Sequence, residues 1–269
     1  MHVKRLITGI VALPFLILLI WRGGPVMFAV FVGIVSILAF WEYFRIVLNI
    51  SGKTGFGAIP VLGLITCLLL IWSAYMNSPA MITGFIMLNL IVSGLFSLLE
   101  FKSNKNIIIT VAWQVLGLLY IPLSLSFLVM IRNGDCGIEW IFLLLSVVFA
   151  GDTGAFYVGT FFGRHKLCPS ISPAKTIEGS VAGLAANLCA GAVFKYLFLP
   201  SLPWGLSLVF FLSAGIAGQA GDLFESEFKR SSNIKDSGAI LPGHGGVLDR
   251  IDALLFAAPL AYFFKVHIL

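Results

Sequence analysis

Between Ser226 and Asp252 the chain reads SEFKRSSNIKDSGAILPGHGGVLDRID, setting four basic residues (Lys229, Arg230, Lys235, Arg250) against four acids (Glu227, Asp236, Asp249, Asp252). This stretch is dense in charge yet formally neutral, and Pro-Gly-His-Gly-Gly at 242–246 breaks it. It holds the parts of a phosphate site. Glycines let backbone amides approach an anion closely, Lys and Arg supply charge and forked donors, and paired aspartates suit a hard cation such as Mg²⁺. No part is specific alone, since loops between membrane helices are often basic and Gly-Gly turns are common.

Two further pieces could join it. In Gln219-Ala220-Gly221-Asp222-Leu223-Phe224-Glu225-Ser226, a continuing helix puts Asp222, Glu225, Ser226 and Lys229 on one face. Asp249 and Asp252 share a face at the start of the last helix, where the dipole alone would account for them. The dipole does not account for Asp222, which ends a helix where an acid is unfavourable and so asks for a cation.

The other piece runs from Ala150-Gly151-Asp152-Thr153-Gly154-Ala155 through Gly163-Arg164-His165-Lys166 to Ser172-Pro173-Ala174-Lys175-Thr176-Ile177-Glu178-Gly179. Asp152 lies roughly 15 Å from the end of its span, near the middle of a bilayer, where a carboxylate is a functional candidate by default. Ser172-Pro173 is expected to cap and start a helix, leaving free amides with Lys175 on the first turn, a ready anion site. His2, His165 and His267 read as interfacial, and Arg132 and Asp135 as a solvated loop.

The elements that must hold these residues are apolar. The chain has 269 residues, 59% hydrophobic and 11% charged, with a mean hydropathy of +1.02. Soluble domains carry about 25% charged residues, so an all-α polytopic membrane protein is expected. Cys67, Cys136, Cys168 and Cys189 have no metal-ligand spacing and read as small hydrophobes. The net charge of +5 is explained by the excess of Lys and Arg in cytoplasmic loops, and no nucleic-acid partner is expected.

Hydropathy predicts about nine transmembrane helices: Leu6 to Trp21, Pro25 to Val47, Phe56 to Tyr75, Pro79 to Leu99, Ile107 to Ile131, Ile138 to Phe162, Ile177 to Phe198, Pro203 to Leu223 and Val247 to His267. With the N-terminus in the cytoplasm, 13 Lys and Arg fall inside and 4 outside, which favours that orientation and puts both long polar loops in the cytoplasm. The first span reads as a retained helix because no small-residue cleavage site follows it. Residues 1–137 hold three acids and 138–269 the other nine. A membrane-buried acid costs about 2.5 to 3.5 kcal/mol, so the expected organisation is an apolar scaffold of about five helices over 1–137 and a catalytic region over 138–269.

The ordered series Ser226, Lys229-Arg230, Lys235-Asp236, Gly238, Pro242, His244-Gly245-Gly246, Asp249-Arg250 and Asp252 resembles, without a departure, the C-terminal signature of the phosphatidate cytidylyltransferase (CDP-diacylglycerol synthase) family. Ser-Pro-x-Lys-Thr-x-Glu-Gly at 172–179 and the Asp-Thr-x-Ala segment at 152–155 are similar to further motifs of the same family. Phe156-Tyr157 departs from it, because a tyrosine commonly follows the alanine directly. The resemblance implies an integral enzyme of the cell (inner) membrane, facing the cytoplasm, that transfers CMP from CTP to phosphatidate for phospholipid synthesis. It also implies a Mg²⁺ requirement, with Mn²⁺ as a substitute and room for a second cation, metal binding at Asp222 and Asp249, and a homodimer.

The expected catalytic set is Asp222, Asp249, Lys229, Arg230 and His244. Ser172, Lys175, Thr176, Glu178, Lys235, Asp236, Gly245, Gly246, Arg250, Asp252 and Asp152 are the expected substrate contacts. His244 reads either as a phosphate-binding or loop-ordering residue or as a proton carrier, and a phosphomonoester already largely dianionic at pH 7 favours the former. Two other readings stand beside this one. A CTP-dependent polyprenol or phytol kinase would release CDP in place of pyrophosphate. A transporter would line a path with Asp152 and broken helices, although its polar residues should then reach both faces.

Overall fold

The computed structural model describes residues 13–50, 57–238, 240 and 245–269. Among these residues the protein is almost entirely helical, and eight helices are long and apolar enough to cross a membrane. The first expected span lies partly outside the described residues, and its described part is the apolar helix α1, Leu13–Arg22. There follow α2 (Gly24–Ile50), α3 (Ala58–Tyr75), α4 (Pro79–Glu100), α5 (Ile107–Leu118), α6 (Ser124–Asn133) and α7 (Gly137–Phe162). After the short strands β1 (Lys166–Cys168) and β2 (Ser172–Thr176) come α8 (Ile177–Phe198), α9 (Trp204–Ser231) and α10 (Leu248–Phe263). Helix is what such runs must form, because lipid offers backbone groups no partners and only internal hydrogen bonding satisfies them. The outward surface is correspondingly apolar: Leu99 is 79% exposed and Leu98 74%.

The chain divides into two compact units: 1–133 with 231–250, and 134–230 with 251–269. The charged segment 231–250 groups with the N-terminal helices. In the first unit, α5 and α6 form one span, Ile107–Asn133, joined by a π-helical turn at Leu119–Leu123. Pro122 sits in that turn, and its missing N–H removes a helical hydrogen bond there. Phe40, Tyr43 and Phe44 of α2 are fully buried. The Phe40 and Phe44 rings meet edge to face at 5.0 Å, and the Tyr43 hydroxyl donates to the Trp113 carbonyl at 2.9 Å.

Polar side chains turn inward in this unit. Asn89 donates to Thr66 Oγ1 at 2.8 Å and accepts from Gln114 Nε2 at 2.9 Å. Arg132, expected to be solvated, donates through Nη2 to the Ile20 carbonyl at 3.1 Å. It ties α6 to the end of α1 and satisfies a carbonyl that α1 leaves open.

The second unit packs through small residues. A side chain at Gly151 would strike Asn187, and one at Gly154 would meet Ala186 and the Ala182 carbonyl. Gly183, facing them, leaves no room beside Gly151 and Ala155. This is the close backbone approach that small residues permit between membrane helices. The same device joins α9 to α10, where Gly221 lies against the Asp252 carbonyl.

The hairpin was not foreseen. β1 and β2 pair antiparallel with Lys166 opposite Thr176 and Cys168 opposite Ser172. Consequently Ser172-Pro173 does not start a helix. Thr176 caps α8, its hydroxyl accepting from Gly179 N at 3.1 Å, and Lys175 lies on β2 and not on the first turn of a helix. Lys195 of α8 is 3% exposed. Its ammonium donates to the Pro200 carbonyl at 3.1 Å and lies 4.2 Å from the Trp204 ring centroid, which holds the charge where solvent does not.

Candidate functional site

In the second unit Asp152, Lys175, Asp222, Lys229, Arg230 and Asp252 lie on or beside α9. That helix runs to Ser231, past the expected end at Leu223, so Asp222, Glu225, Ser226 and Lys229 do share a helical face. Lys175 reaches from β2 to Asp222 Oδ2 at 2.7 Å, and Ser226 Oγ donates to Asp222 Oδ1 at 3.4 Å. Asp222 therefore lies mid-helix and not at the helix end where the dipole would disfavour it, and the cation it was expected to ask for is Lys175. One turn on, Lys229 pairs with Glu225, whose side chain is fully buried. Arg230 Nε donates to the Ile171 carbonyl at 3.0 Å, linking the helix end to the hairpin turn.

Three carboxylates, Asp152 of α7, Asp222 of α9 and Asp252 of α10, lie close enough to repel one another, with Lys175 and Lys229 attracting members of the set. Asp252 also accepts from Ala253 N at 2.7 Å. Beside Asp152 a small recess is bounded by Gly151, Asn187, Gly215 and Gln219. Asn187 is 1% exposed, and its Oδ1 has no hydrogen-bond partner among the described residues. Gln219 exchanges hydrogen bonds with Ser180 of α8, its Nε2 donating to the Ser180 carbonyl at 3.0 Å and its Oε1 accepting from the hydroxyl.

Glu178 and Thr176 serve the backbone. Glu178 accepts from the amides of Arg164 and His165 at 3.1 and 3.2 Å and meets His165 Nδ1 at 2.6 Å. His165 is thus engaged with α8 and not a lone interfacial residue. Together with the Ile177 amide, which donates to the His165 carbonyl at 2.9 Å, these contacts pin the end of α7 to the start of α8.

In the first unit the described residues Ser232, Ser237 and Leu248 contact the C-terminal half of α2. Ser232 Oγ donates to the Ile46 carbonyl at 2.9 Å. Asp249 Oδ2 accepts from the amides of Ser237 at 3.0 Å and Gly246 at 2.8 Å, and so closes the chain on itself across the loop. Gly245 has φ +80°, the left-handed region that favours glycine. The amide of Gly246 does approach an anion closely, and that anion is the Asp249 carboxylate. Lys235, Asp236 and Arg250 are exposed around this loop. His244 and Pro242 lie outside the described residues.

Reasoning from sequence put Glu225 on the face of Asp222 without assigning it to the site, and it missed the buried acid Glu42. Glu225 carried a signal, its i, i+4 relation to Lys229. Glu42 carried none, because its partners are about two hundred positions away.

The eight long apolar helices among the described residues, with ion-paired acids inside them, define a polytopic integral membrane protein. A family model described as the cytidylyltransferase family matches residues 3–267, and the chain belongs to that family. It is 34% identical over 268 residues to a phosphatidate cytidylyltransferase of Bacillus subtilis (strain 168), covering 97% of this chain and 96% of the relative. The protein of that name from Staphylococcus haemolyticus (strain JCSC1435) is 33% identical over 259 residues, covering 95% and 96%. That from Staphylococcus saprophyticus is 32% identical over 267 residues, covering 98% and 99%.

Proposed function

We propose that this chain is a phosphatidate cytidylyltransferase, converting CTP and phosphatidate to CDP-diacylglycerol and pyrophosphate. The unbroken signature from Ser226 to Asp252 carries the reading, in a chain whose curated relatives match almost end to end under that name. A phosphate oxygen of the lipid attacks the α-phosphorus of CTP in line. The bond from that phosphorus to the bridging oxygen breaks, and pyrophosphate leaves with the electron pair. A phosphomonoester with a second pKa near 6 is already mostly dianionic at pH 7, so no general base is needed and His244 is assigned to phosphate or to loop order.

The remaining work is to bring two anions together and to neutralise charge as it moves. Lys175, Lys229 and Arg230 of the second unit are assigned to phosphate groups. Their contacts with Asp222, Glu225 and the Ile171 carbonyl support this by holding the cations in place before substrate arrives. Lys235 and Arg250 of the first unit are assigned to phosphate as well, and Asp152 and Asp252 to the polar surround.

Among the described residues no group of three or more His, Cys, Asp or Glu is gathered for a metal. Mg²⁺ is commonly held by one or two carboxylates and completed by substrate phosphates and water, so acids of this kind fit an ion that arrives with the nucleotide. Asp222 and Asp249, each within its own unit, are the proposed ligands. When bound, the cation would offset the charge of the nucleotide phosphates, with Mn²⁺ as a substitute and a second cation accommodated. The charge asymmetry of the loops supports a cytoplasmic membrane enzyme working on the cytoplasmic side, and a homodimer is the proposed assembly.

The test is transfer of radiolabel in detergent micelles containing phosphatidate and Mg²⁺. Label must enter lipid from α-labelled CTP and not from γ-labelled CTP. Entry from the γ position would make the protein a lipid kinase, and no transfer by a well-folded preparation would return the transporter reading.

A further inference from the structure

We infer that Glu42 is the positioning residue of the signature loop, its carboxylate fastening both ends of segment 237–248 to α2. Glu42 is fully buried. Its Oε2 accepts from Ser237 Oγ at 3.1 Å and from the Leu248 amide at 2.8 Å, so one oxygen joins the residue that enters the loop to the residue that begins α10. The same carboxylate defines two glycines of the signature: a Cβ at Gly238 would overlap Glu42 Oε1, and one at Gly246 would overlap both carboxylate oxygens and Ser237 Oγ. Asp249 then binds the amides of Ser237 and Gly246 from the other side. The two acids together set the path of the backbone that carries Gly245, Gly246 and Asp249.

The energetics point to loop placement and away from bulk stability. Burying a carboxylate is costly. Oε1 of Glu42 gains no hydrogen bond among the described residues in return. Buried polar groups satisfied through only part of their capacity are uncommon and call for a purpose. An apolar residue on α2 would pack at lower cost, but it would leave the Leu248 amide and the Ser237 hydroxyl without their acceptor. Glu42 acts through Asp249 and the loop and is not assigned to contact substrate.

This inference rests on the proposed cytidylyl transfer, and the experiment separates the two. Full-length wild type, Glu42→Ala, Glu42→Gln and Ser237→Ala are purified in detergent. Amide exchange over 237–249 and kinetics with α-labelled CTP are measured on each. Glutamine keeps a carbonyl acceptor for both donors, so Glu42→Gln should hold loop protection and stay within about threefold of wild-type kcat/KM. Glu42→Ala should exchange at least about tenfold faster over 237–249, with α3 and α4 unchanged, and lose about a hundredfold in kcat/KM for CTP. Ser237→Ala, which removes one of the two bonds, should lose about tenfold and keeps the test decisive if the alanine variant at 42 does not fold.

Unchanged loop protection in the alanine variants overturns the inference. So does a Glu42→Gln variant as impaired as Glu42→Ala, or lowered thermal stability with unaltered kinetics of the folded protein. A wild type that transfers no label overturns the functional reading itself, a failure seen before any variant is compared.

Discussion

The two units use carboxylates differently. In the first, Glu42 and Asp249 accept from backbone amides of the signature loop. In the second, Asp222 and Glu225 pair with the ammonium groups of Lys175 and Lys229. An acid that holds amides sets a shape, and its loss lets the loop wander. An acid that holds lysines sets the direction of a charge, and its loss leaves a cation misplaced or buried alone. The signature read along the chain as one motif therefore spans two physical tasks, and substitutions should divide accordingly.

The largest effect is expected of Asp249→Asn. Asparagine can still accept from Ser237 and Gly246 but lacks the charge, so loop amide exchange should stay near wild type while kcat/KM falls about 10³-fold. A loop that loosens as much as activity falls would collapse the distinction. Next in size, Lys175→Met should lower kcat/KM about 10²-fold, leaving loop exchange over 237–249 unaltered, with Lys175→Arg recovering part of the loss.

Lys229→Met tests whether the second unit needs its pairs to fold. Breaking a buried pair on one side costs about 3 kcal/mol, which a lower unfolding midpoint would register. Adding Glu225→Leu should restore the midpoint but not activity. The smallest effect belongs to Thr176→Ala, which removes the α8 cap and should cost about 1 kcal/mol with little change in kinetics.

Much of the fold was legible because hydropathy measures what lipid demands. The span expected at Ile177 to Phe198 is α8 residue for residue. The end of α9 was misjudged because Glu225 to Arg230 looked like loop composition, whereas Lys229 and Glu225 neutralise each other within the helix. Ser172-Pro173 had the residues of a helix start, but cross-strand pairing with β1 claimed that backbone and moved the cap to Thr176. Arg132, read as solvated, was also misjudged, because its guanidinium donates to the Ile20 carbonyl.

Asp222 stood out on a premise the structure corrects, since α9 continues past it to Ser231, and Asp249 stood at the start of α10 as expected. Glu42 could not stand out, because a lone acid in an apolar helix announces a cost without naming a partner 195 positions away. Spacing rules operate within an element, and this contact is made between distant ones.

Cytidylyl transfer is tested by measuring pyrophosphate and CDP-diacylglycerol from purified wild type with CTP and phosphatidate, before and after EDTA and again after added Mg²⁺. The expected result is one pyrophosphate per CDP-diacylglycerol, strict dependence on phosphatidate, loss of both products in EDTA and their return with Mg²⁺. CDP as the nucleotide product, or undiminished turnover in EDTA, would contradict it.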